Sequence, residues 1–325
     1  MSNDIVELSC SPVRGGLITH FAEQNREGLL SDDIIFGIKG KVVGGIVFSS
    51  HQSGKYNPDS TKFKVRGIKQ GDIIRHKTEC SSILAAKVGG MKVQIAMKLS
   101  PKSPLLELSC TIDNSCKKAK TQKVAQVLKM CLRSIGHKSS AISIIDSSGH
   151  VKHFSRRNIY PPWAISEQWV DYYGDIDTGK SGFFVIRRSD TGENLLVSFE
   201  PKSVSRSWSN KFLPLPHAML IYNTERIPKN RKLKCCAFIS PMTDFIVKDG
   251  FLLGYLRSKS HCFVIASGIS IPRLYAMYDN KKIPITFERK TSTLFTCVLE
   301  NIPDVLQVDD MDIQLPISAT MDKNE

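Results

Sequence analysis

The sequence predicts a mainly β protein: a single jelly-roll or sandwich-like β domain with one or two amphipathic helices and polar tails. From residue 31 onward, short apolar and β-branched runs alternate with Gly, Pro, Asn and Asp, as in sandwiches and barrels. One segment instead shows helical spacing, and no low-complexity linker divides the chain. We therefore expect a polar N-terminal segment at 1–30, a β-rich core domain at 31–300 and an acidic C-terminal tail at 301–325.

The predicted strands are short runs rich in Val, Ile, Leu and Phe that end at turn-forming residues. Their spacing favours antiparallel neighbours joined by short loops. In chain order they lie at 33–40, 41–50, 62–68, 71–77, 92–99, 105–112, 140–146, 182–188, 193–199, 218–223, 234–240, 261–267, 273–279 and 292–299.

The segment 117–136, KKAKTQKVAQVLKMCLRSIG, predicts an amphipathic helix that ends at Gly136. Its first turn is rich in lysine, which the positive end of a helix dipole disfavours. A bound anion would relieve this, and so would water, so both a ligand site and a solvated face stay open. The apolar positions are Val124, Val127, Leu128, Cys131, Leu132 and Ile135, and the lysines are Lys117, Lys118, Lys120 and Lys123.

Residues 174–181 fit G-x-x-x-x-G-K-[ST], the spacing of a nucleotide-binding phosphate loop. Such a loop must open a helix whose N-terminus faces the phosphates. Here a strand-like run, 182–188, follows instead, and Asp175 and Asp177 would place carboxylates beside a triphosphate. We therefore predict a polar hairpin loop, in which Gly179 and Gly182 supply positive φ angles.

The charge of the chain favours polyanionic partners. It has 45 Lys and Arg against 31 Asp and Glu, a net charge of +14 and a pI of about 9.3. The segment 301–325 is the exception, because it carries six acidic residues and one lysine. It is expected either to fold back and compete with an anionic ligand or to be a solvated terminus.

The sequence contains no recognisable catalytic or metal-binding motif, so we expect no enzyme activity, no cofactor and no metal. H-E-x-x-H and G-x-S-x-G are absent, and His150 and His153 have no third ligand nearby in sequence. Nine cysteines without a C-x-x-C pair favour a reduced, intracellular compartment. The N-terminus does not resemble a secretion signal, and the apolar stretches are too short to span a bilayer, so membrane contact is expected to be peripheral.

Two basic clusters are candidate nucleic-acid contacts. One lies at 229–234, between two strand runs. The other, HFSRRNIYPPW at 153–163, combines arginines with aromatic rings on which bases can stack. Exposed strand edges and packed aromatics explain the same residues equally well. The candidate cations are Lys229, Arg231, Lys232, Lys234, Arg156 and Arg157.

The segment 91–118, MKVQIAMKLSPKSPLLELSCTIDNSCKK, predicts a hydrophobic strand, a turn with Pro101 and Pro104, and a second strand that ends at Asp113. This order resembles the core of the thirty-kilodalton superfamily of plant-virus movement proteins, especially the plant rhabdovirus versions, in which a characteristic Asp follows the second strand. The family Asp falls on Asp113. Its carboxylate, with Asn114 and Ser115, is of the type that accepts backbone N–H bonds and fixes a turn, so we interpret it as structural.

The resemblance implies a jelly-roll-like movement protein that binds single-stranded nucleic acid with little sequence preference. Its implied partners are single-stranded RNA or viral nucleoprotein, peripheral host membrane, further copies of itself and host plasmodesmal or transport proteins. It implies a location in the host cytoplasm and at the cell periphery, including plasmodesmata. A viral matrix-like protein that binds anionic membrane and nucleoprotein is the alternative, and an enzyme acting on a polyanion or carbohydrate is a third.

Overall fold

The computed structural model describes residues 2–3, 5–11, 17–24, 34–37, 40–43, 45–51, 75–76, 79–88, 91–115, 125–131, 141–155, 174–188, 192–210, 217–222, 230–259, 261–311 and 313–317. Within these ranges the chain forms antiparallel strands and two short 3₁₀ turns, Pro201–Ser203 and Asp309–Met311. The predicted mainly β fold is confirmed.

The strands are numbered in chain order. They are β1 Val6–Ser11, β2 Leu17–Glu23, β3 Ile34–Gly37, β4 Gly40–Val43, β5 Gly45–His51, β6 Arg75–His76, β7 Glu79–Val88, β8 Met91–Leu99, β9 Leu106–Asp113, β10 Ala125–Cys131, β11 Ala141–Ile145, β12 Val151–Ser155, β13 Gly174–Asp175, β14 Phe183–Arg188, β15 Asn194–Phe199, β16 Val204–Asn210, β17 His217–Tyr222, β18 Lys232–Met242, β19 Asp244–Lys248, β20 Phe251–Arg257, β21 Cys262–Ser267, β22 Leu274–Tyr278, β23 Lys281–Pro284, β24 Glu288–Arg289, β25 Leu294–Leu299, β26 Val305–Val308 and β27 Ile313–Pro316.

These strands form four sheets and a separate hairpin, β3-β4. The seven-stranded sheet has the order β1-β2-β5-β10-β17-β16-β13, and the nine-stranded sheet the order β12-β11-β14-β15-β18-β9-β8-β7-β6. The five-stranded sheet is β19-β20-β21-β25-β24, and the four-stranded sheet is β23-β22-β26-β27. Neighbours far apart in sequence, such as β9 and β18, pair along their whole shared length.

The first core lies on both faces of the nine-stranded sheet, and one part of it lies between this sheet and the seven-stranded sheet. Residues directly opposite on paired strands share a face of the sheet, so Leu108, Cys110, Cys235 and Ala237 lie together on one face of the nine-stranded sheet. Tyr222 of β17 is buried beside Cys110 and Cys235, and this burial raises the pKa of its hydroxyl well above its usual value. The two sheets therefore pack face to face.

The five-stranded sheet is buried on both faces. Alternate residues of β20 belong to different hydrophobic clusters: Leu252 and Leu256 join the first core, whereas Leu253 and Tyr255 join a second core under the four-stranded sheet. Gly254 allows close approach to the nine-stranded sheet, because a Cβ there would lie 2.6 Å from the sulfur of Met242. The four sheets therefore form successive layers.

The helix predicted over 117–136 is wrong for Ala125–Cys131, which forms β10. This strand is paired on both sides, with β5 and with β17. Helix propensity amounts to tenths of a kcal/mol per residue, and two-sided backbone pairing overrides it. The rest of the predicted helix lies outside the described residues.

Both terminal segments contribute strands, which the sequence prediction did not include. In the first, β1 pairs with β2, and Val6, Leu8 and Phe21 are buried. In the second, β26 pairs with β22 and β27, and Leu306 and Ile313 are buried in the second core. The described part of the acidic segment therefore supplies two strands of the four-stranded sheet and is not a solvated terminus.

Candidate nucleic-acid interface

The hairpin β8–β9 places Asp113 at the end of its second strand, as predicted. The two strands pair in register from Lys92 opposite Asp113 to Leu99 opposite Leu106. The turn between them is held from outside, because the Asn3 side-chain amide donates to the backbone oxygens of Ser100 (2.7 Å) and Ser103 (2.8 Å). This fixed turn keeps the strand register, and therefore the position of Asp113, defined.

The Asp113 carboxylate accepts a hydrogen bond from the turn that follows β9 and pairs with a lysine of β18. The Ser115 backbone N–H donates to its Oδ1 at 3.0 Å, and the Lys232 ammonium lies 3.4 Å from its Oδ2. The hydrogen bonds from Ser115 and the charge of Lys232 lower the pKa of the Asp113 carboxyl. The carboxyl is therefore ionised at neutral pH and partly neutralised by Lys232.

Strand β18 brings two predicted cations beside Asp113. Lys232 lies opposite Asp113 and Lys234 opposite Thr111, while on the other side of β9, Lys92 and Gln94 lie opposite the same two residues. Two rows therefore cross three strands on one face. We call these six residues the cationic shelf: a first row of Lys92, Asp113 and Lys232, and a second row of Gln94, Thr111 and Lys234.

The shelf faces solvent and carries three ammonium groups against one carboxylate. The lysines and Gln94 are exposed, the Lys232 side chain by 69%, and Asp113 and Thr111 are partly covered. Strands lie about 4.8 Å apart and alternate residues about 7 Å apart. The three lysine Cα atoms therefore span about 10 by 7 Å, which suits contact with neighbouring phosphates of an extended strand.

The shelf is the part of this face that the five-stranded sheet leaves uncovered. Farther along the same face, Phe183, Ser198 and Phe238 lie opposite one another and are all buried. Phe183 and Phe238 belong to the first core, which includes residues of the five-stranded sheet. Layer packing thus sets the boundary of the shelf.

One further predicted cation within the described residues, Arg231, lies outside the shelf. Arg231 is exposed, but it precedes β18, and its backbone oxygen accepts the Asn114 N–H at 3.0 Å. The remaining candidates lie outside the described residues: Lys117, Lys118, Lys120, Lys123, Arg156, Arg157 and Lys229.

Sequence reasoning missed Lys92, Gln94 and Thr111. Their signal is the alternation of polar with apolar residues in KVQI and TID, which marks the solvent face of each strand. Only the pairing of β9 with β18 shows that these positions adjoin the predicted basic cluster.

The loop at 174–182 is a polar turn that precedes a strand, but it is not the predicted hairpin, because β13 pairs with β16 in one sheet and β14 with β11 and β15 in another. Gly179 and Gly182 have φ of +46° and +65°, and β14 follows at Phe183. The Asp177 carboxylate accepts the Gly179 N–H at 3.0 Å, and the Ser181 hydroxyl donates to the Gly250 backbone oxygen at 2.6 Å. The loop's polar groups thus hold the turn in place.

Among the described residues, Cys10, Cys235, Cys236, Cys262 and Cys297 carry free thiols, and no group of three or more His, Cys, Asp or Glu could hold a metal ion. The adjacent thiols Cys235 and Cys236 are not bonded, and burial raises the pKa of each to about 12. In the same part of the chain, no helix has the length and apolar character needed to span a bilayer.

No protein-family model and no curated protein matches the chain. Among solved structures, a TPR-domain containing protein from Parabacteroides distasonis is 11% identical with a TM-score of 0.48, over 75% of this chain and 46% of that one. A galactose mutarotase related enzyme from Lactobacillus acidophilus is 8% identical with a TM-score of 0.46, over 77% and 97% of the two chains. Our chain thus spans less than half of the Parabacteroides protein, and likenesses at these values carry no argument about function.

Proposed function

We propose that this protein binds single-stranded nucleic acid without sequence preference through the cationic shelf and acts as a viral cell-to-cell movement protein. The observation that supports it is the solvent-facing group of Lys92, Lys232 and Lys234 on a rigid sheet, beside the aspartate that the movement-protein resemblance singles out. In this proposal the protein carries viral RNA or nucleoprotein through plasmodesmata, with peripheral host membrane, host transport proteins and further copies of itself as partners.

The physical basis is counterion release. A lysine that neutralises a phosphate displaces a bound cation, so log affinity for a single strand falls with log salt by about 0.7 per phosphate. Lys92 and Lys234 are exposed and have no ion pair among the described contacts. The double variant Lys92→Gln/Lys234→Gln should therefore reduce the slope by about 0.7 for each of the two lysines that contacts a phosphate, which is at most about 1.4, and weaken binding by up to roughly 14-fold at 0.15 M salt.

The binding test is fluorescence anisotropy with a labelled single-stranded RNA over a salt series. A matched control is Lys259→Gln/Lys281→Gln, which removes the same charge from exposed positions in the turn after β20 and on β23. We expect the control to bind within about twofold of the wild type. Equal losses in both variants, or an affinity that does not change with salt, would refute binding at the shelf.

The transport test is trans-complementation in a leaf. The wild-type chain is expressed beside a transport-deficient virus, and infection is expected to leave the first cell. The shelf variant should fail and the Lys259→Gln/Lys281→Gln control should succeed. Assembly on anionic liposomes without any complementation would refute the movement function and favour the matrix-like alternative.

A further inference from the structure

We propose that the phosphates of the bound strand lie over the second row of the shelf, Gln94, Thr111 and Lys234, and that this site contacts the sugar-phosphate backbone without touching the bases. The inference rests on the proposed function and extends it, since it names the part of the ligand that is recognised. It follows from the position of Asp113 and from the residue types of the strands around it.

The first row is unfavourable for a phosphate because it contains Asp113. This carboxylate lies between Lys92 and Lys232 in the strand register and is held in place by the Ser115 N–H. It takes up part of the charge of Lys232 at 3.4 Å and repels a second anion at close range. A phosphate placed there would compete with a built-in anion.

Each residue of the second row offers a donor to a phosphate oxygen. Lys234 supplies a positive charge, Thr111 a hydroxyl donor and Gln94 an amide donor, and no carboxylate lies among them. Gln94 and Lys234 flank Thr111, so the donors lie within about 10 Å along a line perpendicular to the strands. Phosphate oxygens can be shared between the charged and neutral donors of this row.

The strands of the shelf provide no surface on which a base can stack. Single-strand binders that engage bases do so with aromatic rings. Within the described strands β7, β8 and β9, and in residues 232–237 of β18, the sequence contains no Phe, Tyr, Trp or His. The affinity of this site should therefore be set by phosphate alone, and a duplex should be accepted as well as a single strand.

The decisive probe is an abasic oligomer, a sugar-phosphate chain of the same length and charge as oligo(dT). The wild type is expected to bind abasic oligomer and oligo(dT) within about twofold by anisotropy at 0.15 M salt, and to bind a duplex at least as tightly. Lys234→Gln should weaken both single-stranded probes about fourfold and reduce the salt slope by about 0.7. Asp113→Asn, which removes the competing carboxylate and keeps an acceptor for Ser115, should strengthen both.

A substitution that leaves the net charge unchanged separates the contribution of hydrogen bonding from that of charge. Thr111→Val removes one donor and no charge, so it should weaken both probes without changing the salt slope. If oligo(dT) binds and the abasic oligomer loses about 5- to 150-fold per stacked base, the protein contacts bases and the inference is wrong. If Asp113→Asn and Lys234→Gln leave binding unchanged while Lys92→Gln weakens it, the phosphates lie elsewhere on the shelf. Absence of any salt-dependent RNA binding would instead refute the proposed function itself.

Discussion

Gly182 is the position where a single methyl group should damage the fold most clearly. Its φ is +65°, and a Cβ there would lie 2.5 Å from the backbone oxygen of Phe199 and 2.7 Å from Cγ of Pro201. The neighbouring backbone cannot move freely, since the Phe199 N–H donates to the Gly182 oxygen at 2.9 Å. Gly182→Ala therefore combines an unfavourable dihedral angle with a collision against backbone.

The two contributions can be separated by comparison with Gly192. Gly192 has a similar φ of +70°, but a Cβ there meets nothing within 4 Å. A non-glycine residue in this conformation costs about 1–2 kcal/mol, so Gly192→Ala should lower the free energy of unfolding by that amount. Overpacking adds about 1–3 kcal/mol, so Gly182→Ala should lower it by about 2–5 kcal/mol.

The measurement is equilibrium urea unfolding of the wild type and both variants, followed by circular dichroism. If the free energy of unfolding falls with urea concentration at a similar slope in all three proteins, the denatured state is unchanged and the urea midpoints report stability. Equal losses in Gly182→Ala and Gly192→Ala would refute the collision. The loop would then have room beside Phe199, and its glycines would be needed for backbone conformation alone.

Three further experiments, two with variants and one with a thiol reagent, test other parts of the structure. Because hydrogen bonding lowers the pKa of Asp113, the wild type should be more stable than Asp113→Asn above the unfolded value of about 3.9, and urea midpoints should converge as pH falls through the folded pKa. Burial raises the pKa of Cys235 and Cys262 to about 12, so iodoacetamide at pH 8 should leave both unmodified until the protein is unfolded, as mass spectrometry can show. Ser292→Ala should lower the free energy of unfolding by about 1–3 kcal/mol, because the hydroxyl donates to the Glu200 carboxylate at 2.6 Å; an unchanged urea midpoint would mean that water replaces it.

Local features of the fold were predictable because their causes are local. The hairpin that ends at Asp113 follows from alternating apolar residues on either side of a proline-containing turn. The turn at Gly179 and Gly182 follows from glycines next to a β-branched run. In both cases the deciding interactions lie within a few residues, so composition and spacing were sufficient.

The cationic shelf was only half predictable, because its rows depend on long-range pairing. Asp113 and Lys232 are more than a hundred residues apart, yet they lie opposite each other on β9 and β18. No pattern within either strand identifies its neighbour in the sheet. The error at Ala125–Cys131 has the same origin, since β10 is stabilised by two strands that are distant in sequence.

The sequence shows that segment 301–325 is acidic, but it does not show which groups the carboxylates contact. Asp304 accepts the Asp279 backbone N–H at 2.9 Å, and Asp309 pairs with Lys282. These carboxylates therefore already have partners within the four-stranded sheet. Deleting the segment would remove β26 and β27 and expose the second core, so altered nucleic-acid binding after such a deletion would not report on competition by a tail.

The five-stranded sheet connects the packing of the fold to its proposed function. The apolar runs at 250–256 and 262–271 are too continuous for a sheet with one face in water, and their strands β20 and β21 are in fact covered on both sides. One side is covered by the part of the nine-stranded sheet in which Phe183 and Phe238 are buried. The part that carries the cationic shelf is exposed to solvent because the five-stranded sheet does not extend over it. The position of the cationic shelf is therefore set by where two apolar surfaces stop overlapping, and substitutions that loosen this contact, such as Leu256→Ala, should destabilise the fold by about 2–5 kcal/mol without removing any charge from the shelf.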